Sequence, residues 1–295
     1  MKKIILLFVI SVALFFACKK EGDPIEETVT TGKTKIYVDE TLLPIIEEQV
    51  MVFESTYKYA KIDLVTKPET ELINLFLKQE AKIIILPREL TLDEKSNLEN
   101  RKFIGKTTPI AMDAIAVIIN SNEAQEKITT QEIFEILQGK NTTKQLVFDN
   151  ANSSTLNYLK NRAGVKNIEN SNITALKNNN EVITFVSKNK NCIGFVGVNW
   201  MLNSTIEMEN TLKNVKVLAV GNSIEKAVKP SQSNISSNEY PFIRNVYLLN
   251  FQGKTGLGMG FASFIAGDIG QRIILKSGLV PYSIPTREIK IRKNI

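Results

Sequence analysis

Three short polar runs in this chain carry residue types that can grip a small anion. The fullest is Phe148-Asp149-Asn150-Ala151-Asn152-Ser153-Ser154-Thr155, set between a strand-like and a helix-like segment. Asn152 or Ser153 is placed to cap that helix, which leaves the backbone N–H groups of Ser154 and Thr155 pointing outward. Outward N–H groups at a helix start, with hydroxyls beside them, form an anion site. A plain polar helix cap explains the same residues, so the run needs company. Company is present. Asp39-Glu40-Thr41 closes the first predicted strand, and Pro87-Arg88-Glu89 follows the aliphatic run Ile83 to Leu86. In open α/β sheets, ligands bind outside the carboxyl ends of the strands. Three such loops can converge on one ligand.

Other chemistry is excluded by what the chain lacks. It has no His, which removes Ser-His-Asp triads, Cys-His dyads and every His-ligated metal site. Its two cysteines are Cys18 and Cys192. Cys192 lies among Ile193, Phe195 and Val196 and reads as a small buried hydrophobe. No carboxylate spacing builds an acid-only metal cluster, and no cofactor is expected. Gly253-Lys254-Thr255 lacks the earlier Gly of a phosphate-cradling NTPase loop, since position 248 is Leu. Net charge is +6, two of those charges sitting on Lys2 and Lys3. The rest is spread thinly until Arg287 to Lys293, which argues for a solvated surface and no nucleic-acid footprint.

Strands and helices alternate along the chain. Lys35 to Val38, Ile62 to Val65, Lys82 to Leu86, Ala114 to Asn120, Gln145 to Phe148, Ile193 to Val198, Val215 to Val220 and Asn245 to Asn250 have strand character. Leu42 to Thr56, Glu71 to Lys78, Leu92 to Asn100, Thr129 to Leu137 and Ser154 to Asn161 have helical periodicity. Asn172 to Asn180 and Val182 to Asn189 also read as helices, and Phe261 to Lys276 as one long closing helix. The stretch from Ala219 to Pro241 reads as a surface excursion packed by Ile224, Val228 and Ile235. This alternation predicts an α/β fold with parallel sheets.

The N-terminus predicts export. Lys2 and Lys3 precede the apolar run Ile4 to Ala17, too short for a comfortable transmembrane helix, and Cys18 follows. Phe15-Phe16-Ala17-Cys18 resembles a lipobox, with Phe15 in place of the usual Leu. Residues 1–17 are then a signal peptide, Cys18 the lipidated residue that anchors the chain in the cell envelope, and 18–33 a polar, flexible tether.

Several segments, in order, resemble the phosphate-binding proteins of phosphate ABC importers, and especially their short lipoprotein relatives. They are Pro109 to Asn120, a strand crossing between lobes; Ile128 to Lys140, a helix and "GK" turn; Ser153-Ser154-Thr155, a Ser-Gly-Thr-like anion loop; Cys192 to Gly197, an "IGYV"-like strand; Tyr240 to Arg244, a "YPLSR"-like return; and Gly256 to Gly278, the closing helix. The resemblance implies a two-lobed, type II periplasmic-binding-protein fold with two crossovers. Lobe 1 would span 34–113, lobe 2 114–241, and 242–295 would return to lobe 1. It also implies a monomer that captures phosphate or a similar oxyanion and hands it to an ABC permease, without covalent chemistry. The implied ligand-binding residues are Thr41, Arg88, Asp149, Asn152, Ser153, Ser154 and Thr155. Family members usually carry Asp near Arg88 and Arg near Asp149, so the two charges read as exchanged. Arg88 would hold oxyanion oxygens and Asp149 a ligand proton, or the two would pair with each other across the cleft. A different small anion, a zwitterion, or an envelope interaction protein reusing the fold without a transport ligand are the rival expectations.

Overall fold

A computed structural model describes residues 27–167, 172–202 and 206–284. The signal segment, Cys18 and the basic tail lie outside the described residues. In chain order the elements are β1 (Gly32–Asp39), α1 (Leu43–Thr56), β2 (Ala60–Lys67), α2 (Glu69–Leu77), β3 (Ile83–Leu86), α3 (Leu92–Asn100) and β4 (Lys106–Asn120). They continue as β5 (Lys127–Thr129), α4 (Thr130–Leu137), β6 (Gln145–Phe148), α5 (Ser154–Ala163), β7 (Ile173–Ala175), α6 (Asn179–Lys188) and β8 (Cys192–Gly197). The remainder are α7 (Val198–Leu202), α8 (Ile206–Leu212), β9 (Val215–Val217), β10 (Ala219–Gly221), α9 (Gln232–Ser236), β11 (Ile243–Asn250), α10 (Leu257–Ala266), α11 (Asp268–Lys276) and β12 (Val280–Pro281).

The long strand β4 belongs to two half-sheets. Its first part, through Ala114, pairs antiparallel with β11. From Ile115 onward it pairs with β8 and then β9. The main sheet runs β2-β1-β3-β11-β4-β8-β6-β7. The pairs β1–β2, β1–β3, β6–β7 and β6–β8 are parallel. Helices cover both faces of each half, so central strands lose their alternation. All four residues of β3 are fully buried. One large apolar cluster runs through both lobes, and Phe148 stacks on Phe195 at its centre with ring centroids 4.8 Å apart. Smaller clusters sit on the outer faces, around Phe76 and Leu249 in one lobe and Val182 and Val186 in the other.

Four local expectations are corrected. The segment 172–180 is not helical throughout: Ile173 and Thr174 are β-branched and extend the sheet beside Leu146 and Val147, and the helix begins only at Asn179, capped by Asn178. The closing helix is two helices. Gly267 is extended between them, and a Cβ at Gly270 would fall 2.5 Å from the backbone of Ile265, so the helices meet too closely for one straight rod. In the 219–241 excursion Ile235 is buried and Val228 bridges to Val220, but Ile224 is exposed. The end of the predicted tether is built into the body. Thr28 and Thr31 close a turn, Lys33 is already in β1, and the Glu27 carboxylate accepts from the Leu257 N–H at 3.3 Å and from the Lys254 ammonium.

Candidate functional site

The carboxyl ends of β1, β3, β6 and β8 all open toward the junction of the two lobes, which is where their loops place the polar residues. A buried cation sits at the centre. Arg244 lies near the start of β11, directly opposite Asp113 on β4 in the strand register, so the two side chains share a face. Arg244 is 3% exposed and Asp113 is fully buried. The Nη2 atom of Arg244 donates to Asp113 Oδ2, and at 3.4 Å to Thr41 Oγ1. Its Nη1 atom donates to Ser154 Oγ at 3.1 Å. Its Nε atom has no hydrogen-bond partner in the protein.

The end of β1 supplies Asp39. Its Oδ1 atom accepts from the Thr41 backbone N–H at 3.0 Å, from Thr41 Oγ1 at 2.5 Å and from Ser154 Oγ at 2.9 Å. The first two bonds cap the 3-10 turn Glu40–Leu42; the third reaches across the cleft to α5. Ser154 is therefore held between Asp39 and Arg244 of the other lobe. Ser153 is the cap of α5, its Oγ accepting the Leu156 N–H at 3.2 Å, and its hydroxyl faces the Asp149 carboxyl. Thr155 is wholly buried and its Oγ1 atom has no partner. Asn152 is exposed, and its backbone carbonyl accepts from the N–H and the hydroxyl of Thr70, both at 3.3 Å. Trp200 adds another bridge, its Nε1 atom donating to the Thr41 carbonyl at 2.9 Å. It acts as packing with one interlobe bond.

The two residues expected to trade charges are not brought together. Arg88 is held by its own lobe: Nε donates to Glu69 at 3.1 Å, and Nη1 and Nη2 form a fork onto Glu94 at 2.8 and 2.9 Å. Glu94 is also the capping-box residue of α3, so this fork locks a loop to a helix start. Asp149 is held by the other lobe, with Oδ2 accepting from Asn179 Nδ2 at 3.3 Å, and Asn179 in turn accepting from the Gly197 N–H. Neither an Arg88–Asp149 pair nor a shared grip on one ligand follows from that geometry. Arg88 stands at the mouth, where it joins Glu69, Pro87, Ser154, Tyr158 and Arg244 in lining a cavity of about 280 Å³ between the lobes.

The carboxylates are unusual in number. Asp39, Asp113 and Asp149 are all buried around Arg244, the one buried guanidinium among the described residues. Burial pushes Asp39 up to about 7, against the pull of Thr41 and Arg244. Burial, helped by the charges of Asp149 and Asp39, pushes Glu40 up to about 8. Asp113 and Asp149 are raised by burial as well. For Arg244, burial opposes the charge, but Asp113 and Asp39 more than restore it. A cluster of this kind offers one fixed cation, several hydroxyls, the start of α5, and acids able to hold or yield protons near neutrality.

Asp113 and Arg244 are not among the candidate site residues expected from the sequence, and Asp39 enters there only as part of its loop. A signal was available. Asp113 is the one charge inside the apolar run Pro109 to Asn120, and Arg244 opens a strand that continues Val246, Leu248 and Leu249. A charge in such a run is buried, and a buried charge needs a partner.

Comparison with known proteins agrees with this architecture. Residues 25–268 match the family model described as PBP superfamily domain. A "Phosphate-binding protein PstS" of Borreliella burgdorferi is 26% identical, over 95% of this chain and 98% of the relative. One from Staphylococcus aureus is 25% identical over 74% of this chain and 68% of its own. Among solved structures, a Clostridium perfringens protein with bound phosphate, described as a phosphate ABC transporter substrate-binding protein, superposes with a TM-score of 0.70 at 20% identity, covering 85% of this chain and 100% of its own. An ABC-type phosphate transport receptor from Vibrio cholerae gives 0.65 at 19% identity, over 83% and 98% of the two chains. With the shared strand β4, the return strand β11 and the interlobe polar cluster in hand, the chain belongs to the PBP superfamily and has the type II periplasmic-binding-protein fold.

Proposed function

We propose that this chain is a solute-binding protein that captures phosphate or a similar tetrahedral oxyanion between its lobes and delivers it to an ABC permease. The observation that carries this reading is Arg244: a buried guanidinium that lines the interlobe cavity, keeps one N–H free of protein partners and meets Ser154 from the opposite lobe. Residues 34–113 with 242–284 would form one lobe and 114–241 the other. The ligand takes hydrogen bonds from Arg244, from the Thr155 hydroxyl and from the start of α5, where the helix dipole favours a negative charge, and the Thr41 and Ser154 hydroxyls turn to it from Asp39. Asn152 and Ser153 shape that loop and Arg88 stiffens the mouth. Asp39 accepts a ligand proton, so a protonated oxyanion is preferred to a fully ionised one. Binding and release need no bond to be made or broken. Names of the relatives point to the same ligand class.

The test is thermal unfolding of the protein lacking residues 1–18 in the presence of single anions. Phosphate at 100 times its dissociation constant should add about 2.7 kcal/mol of stability, with sulfate well behind. No shift with any oxyanion at millimolar concentration would favour the interaction-protein reading.

We further propose that the chain is exported and tethered through Cys18, which follows an apolar run of signal-peptide length. Cys18→Ser should accumulate as a longer precursor or a soluble form. A variant that fractionates and migrates like the wild type would remove the lipid anchor from this account.

A further inference from the structure

The cavity that Arg244 lines is far larger than the ion proposed for it. Inorganic phosphate has five heavy atoms and fills on the order of 60 Å³, about two water volumes. The interlobe cavity is about 280 Å³. Its shape follows one face of α5: Ser154, Asn157, Tyr158, Asn161 and Arg162 recur at helical spacing along its wall. From Ser154 to Arg162 is eight residues, about 12 Å at 1.5 Å per residue. At the inner end lie the buried guanidinium and the Ser154 hydroxyl; beyond Ser154 the wall is amide, phenol and guanidinium. Tyr158 and Arg162 also line a second cavity of about 670 Å³. The Arg162 guanidinium donates to the Tyr158 hydroxyl at 3.0 Å and to the Pro241 carbonyl at 3.1 Å, which fixes the ring and the charge at that junction.

We infer that the site accepts a phosphate monoester with a small hydroxylated organic group, the phosphoryl end at Arg244 and Ser154 and the organic group lying along α5 over Asn157, Tyr158 and Asn161. This rests on the oxyanion reading and extends it. The groove offers donors and acceptors of both kinds, Asn157 and Asn161 among them, which suits hydroxyl groups better than an alkyl chain. Glu69 and Arg88 form the opposite wall; Glu69 Oε1 accepts from Arg88 Nε at 3.1 Å and from Asn157 Nδ2 at 3.4 Å, so the walls touch at Asn157 and the organic group has to displace that contact.

The experiment is calorimetric titration with inorganic phosphate, glycerol 3-phosphate and glycerol, on the wild type, Tyr158→Ala and Asn161→Trp. Asn161 is exposed, so the bulky replacement fills the groove without touching the core. Glycerol 3-phosphate should bind at least as tightly as phosphate, and glycerol alone should give no heat. Asn161→Trp should weaken the monoester at least tenfold and Tyr158→Ala at least fivefold, while phosphate changes less than twofold in either. Phosphate binding without monoester binding, or monoester affinity untouched by Asn161→Trp, overturns the inference and leaves the phosphate reading standing. If neither anion binds, the phosphate reading itself fails and the inference goes with it.

Discussion

Arg244→Lys should lose at least tenfold in phosphate affinity, while Arg88→Lys stays within a few-fold of the wild type. A charged hydrogen bond contributes about 1.5–3 kcal/mol, and lysine keeps the charge of Arg244 but not the fork that reaches Asp113, Ser154 and the cleft together. Arg88 already spends its donors on Glu69, Glu94 and the Glu89 carbonyl. Removing the charge at 244 has a second cost. Arg244→Ala strands Asp113 in a fully buried position, and breaking one side of a buried pair costs about 3–5 kcal/mol. Denaturant unfolding should therefore separate Arg244→Ala, which is strongly destabilised, from Arg244→Lys, which folds and binds poorly. Equal phosphate affinities in Arg244→Lys and the wild type would remove Arg244 from the site.

The ligand-free protein should lose stability as pH rises from 5 to 8. Asp39 has an ordinary value of 3.8 and stands near 7 in the fold. Between those values the folded state keeps a proton that the unfolded chain has released, so stability is full below about pH 4 and drains as pH passes 7. Glu40 extends the window toward its folded value near 8, with a smaller effect because it is partly open to solvent. Asp113 and Asp149, both raised, act in the same direction. Asp39→Asn should flatten the fall in Tm across this range. A Tm that climbs with pH, or an unchanged slope in the variant, would contradict the buried-acid description. The same carboxyl bears on the ligand: a proton shared between Asp39 and the oxyanion is lost as both ionise, so phosphate affinity should weaken above pH 7.

The fold was legible because its evidence is local and repeated. Ile83 to Leu86 reads as a doubly covered strand from four apolar residues alone, and the helical periodicity from Thr129 to Leu137 matches a helix over Thr130–Leu137. The misread pieces are those decided by tertiary neighbours. Ile173 and Thr174 become a strand because Leu146 and Val147 offer an edge, and the closing helix breaks because two helices must pack within contact of Gly270. The site was half legible. Ser153, Ser154 and Thr155 announce a helix start by their order, since a helix start is a local object. Arg244 and Asp113 are 131 residues apart and become one unit only through the β4–β11 register. Arg88 follows a strand, which by position alone suggests a ligand contact; in the fold Glu69 and Glu94 hold its guanidinium. Charge type and position are visible in a sequence; which opposite charge wins a given guanidinium is settled by packing.

The position of a bound oxyanion tests the central claim most directly. Arsenate is a tetrahedral stand-in for phosphate whose arsenic scatters anomalously, so crystals grown with it would locate the ion without reference to the protein density. The account predicts one strong peak between the lobes, within hydrogen-bonding reach of the Arg244 guanidinium and of the Ser154 and Thr155 hydroxyls. A peak held by Arg88 in place of Arg244, or confined to the cavity beyond Arg162, would contradict it.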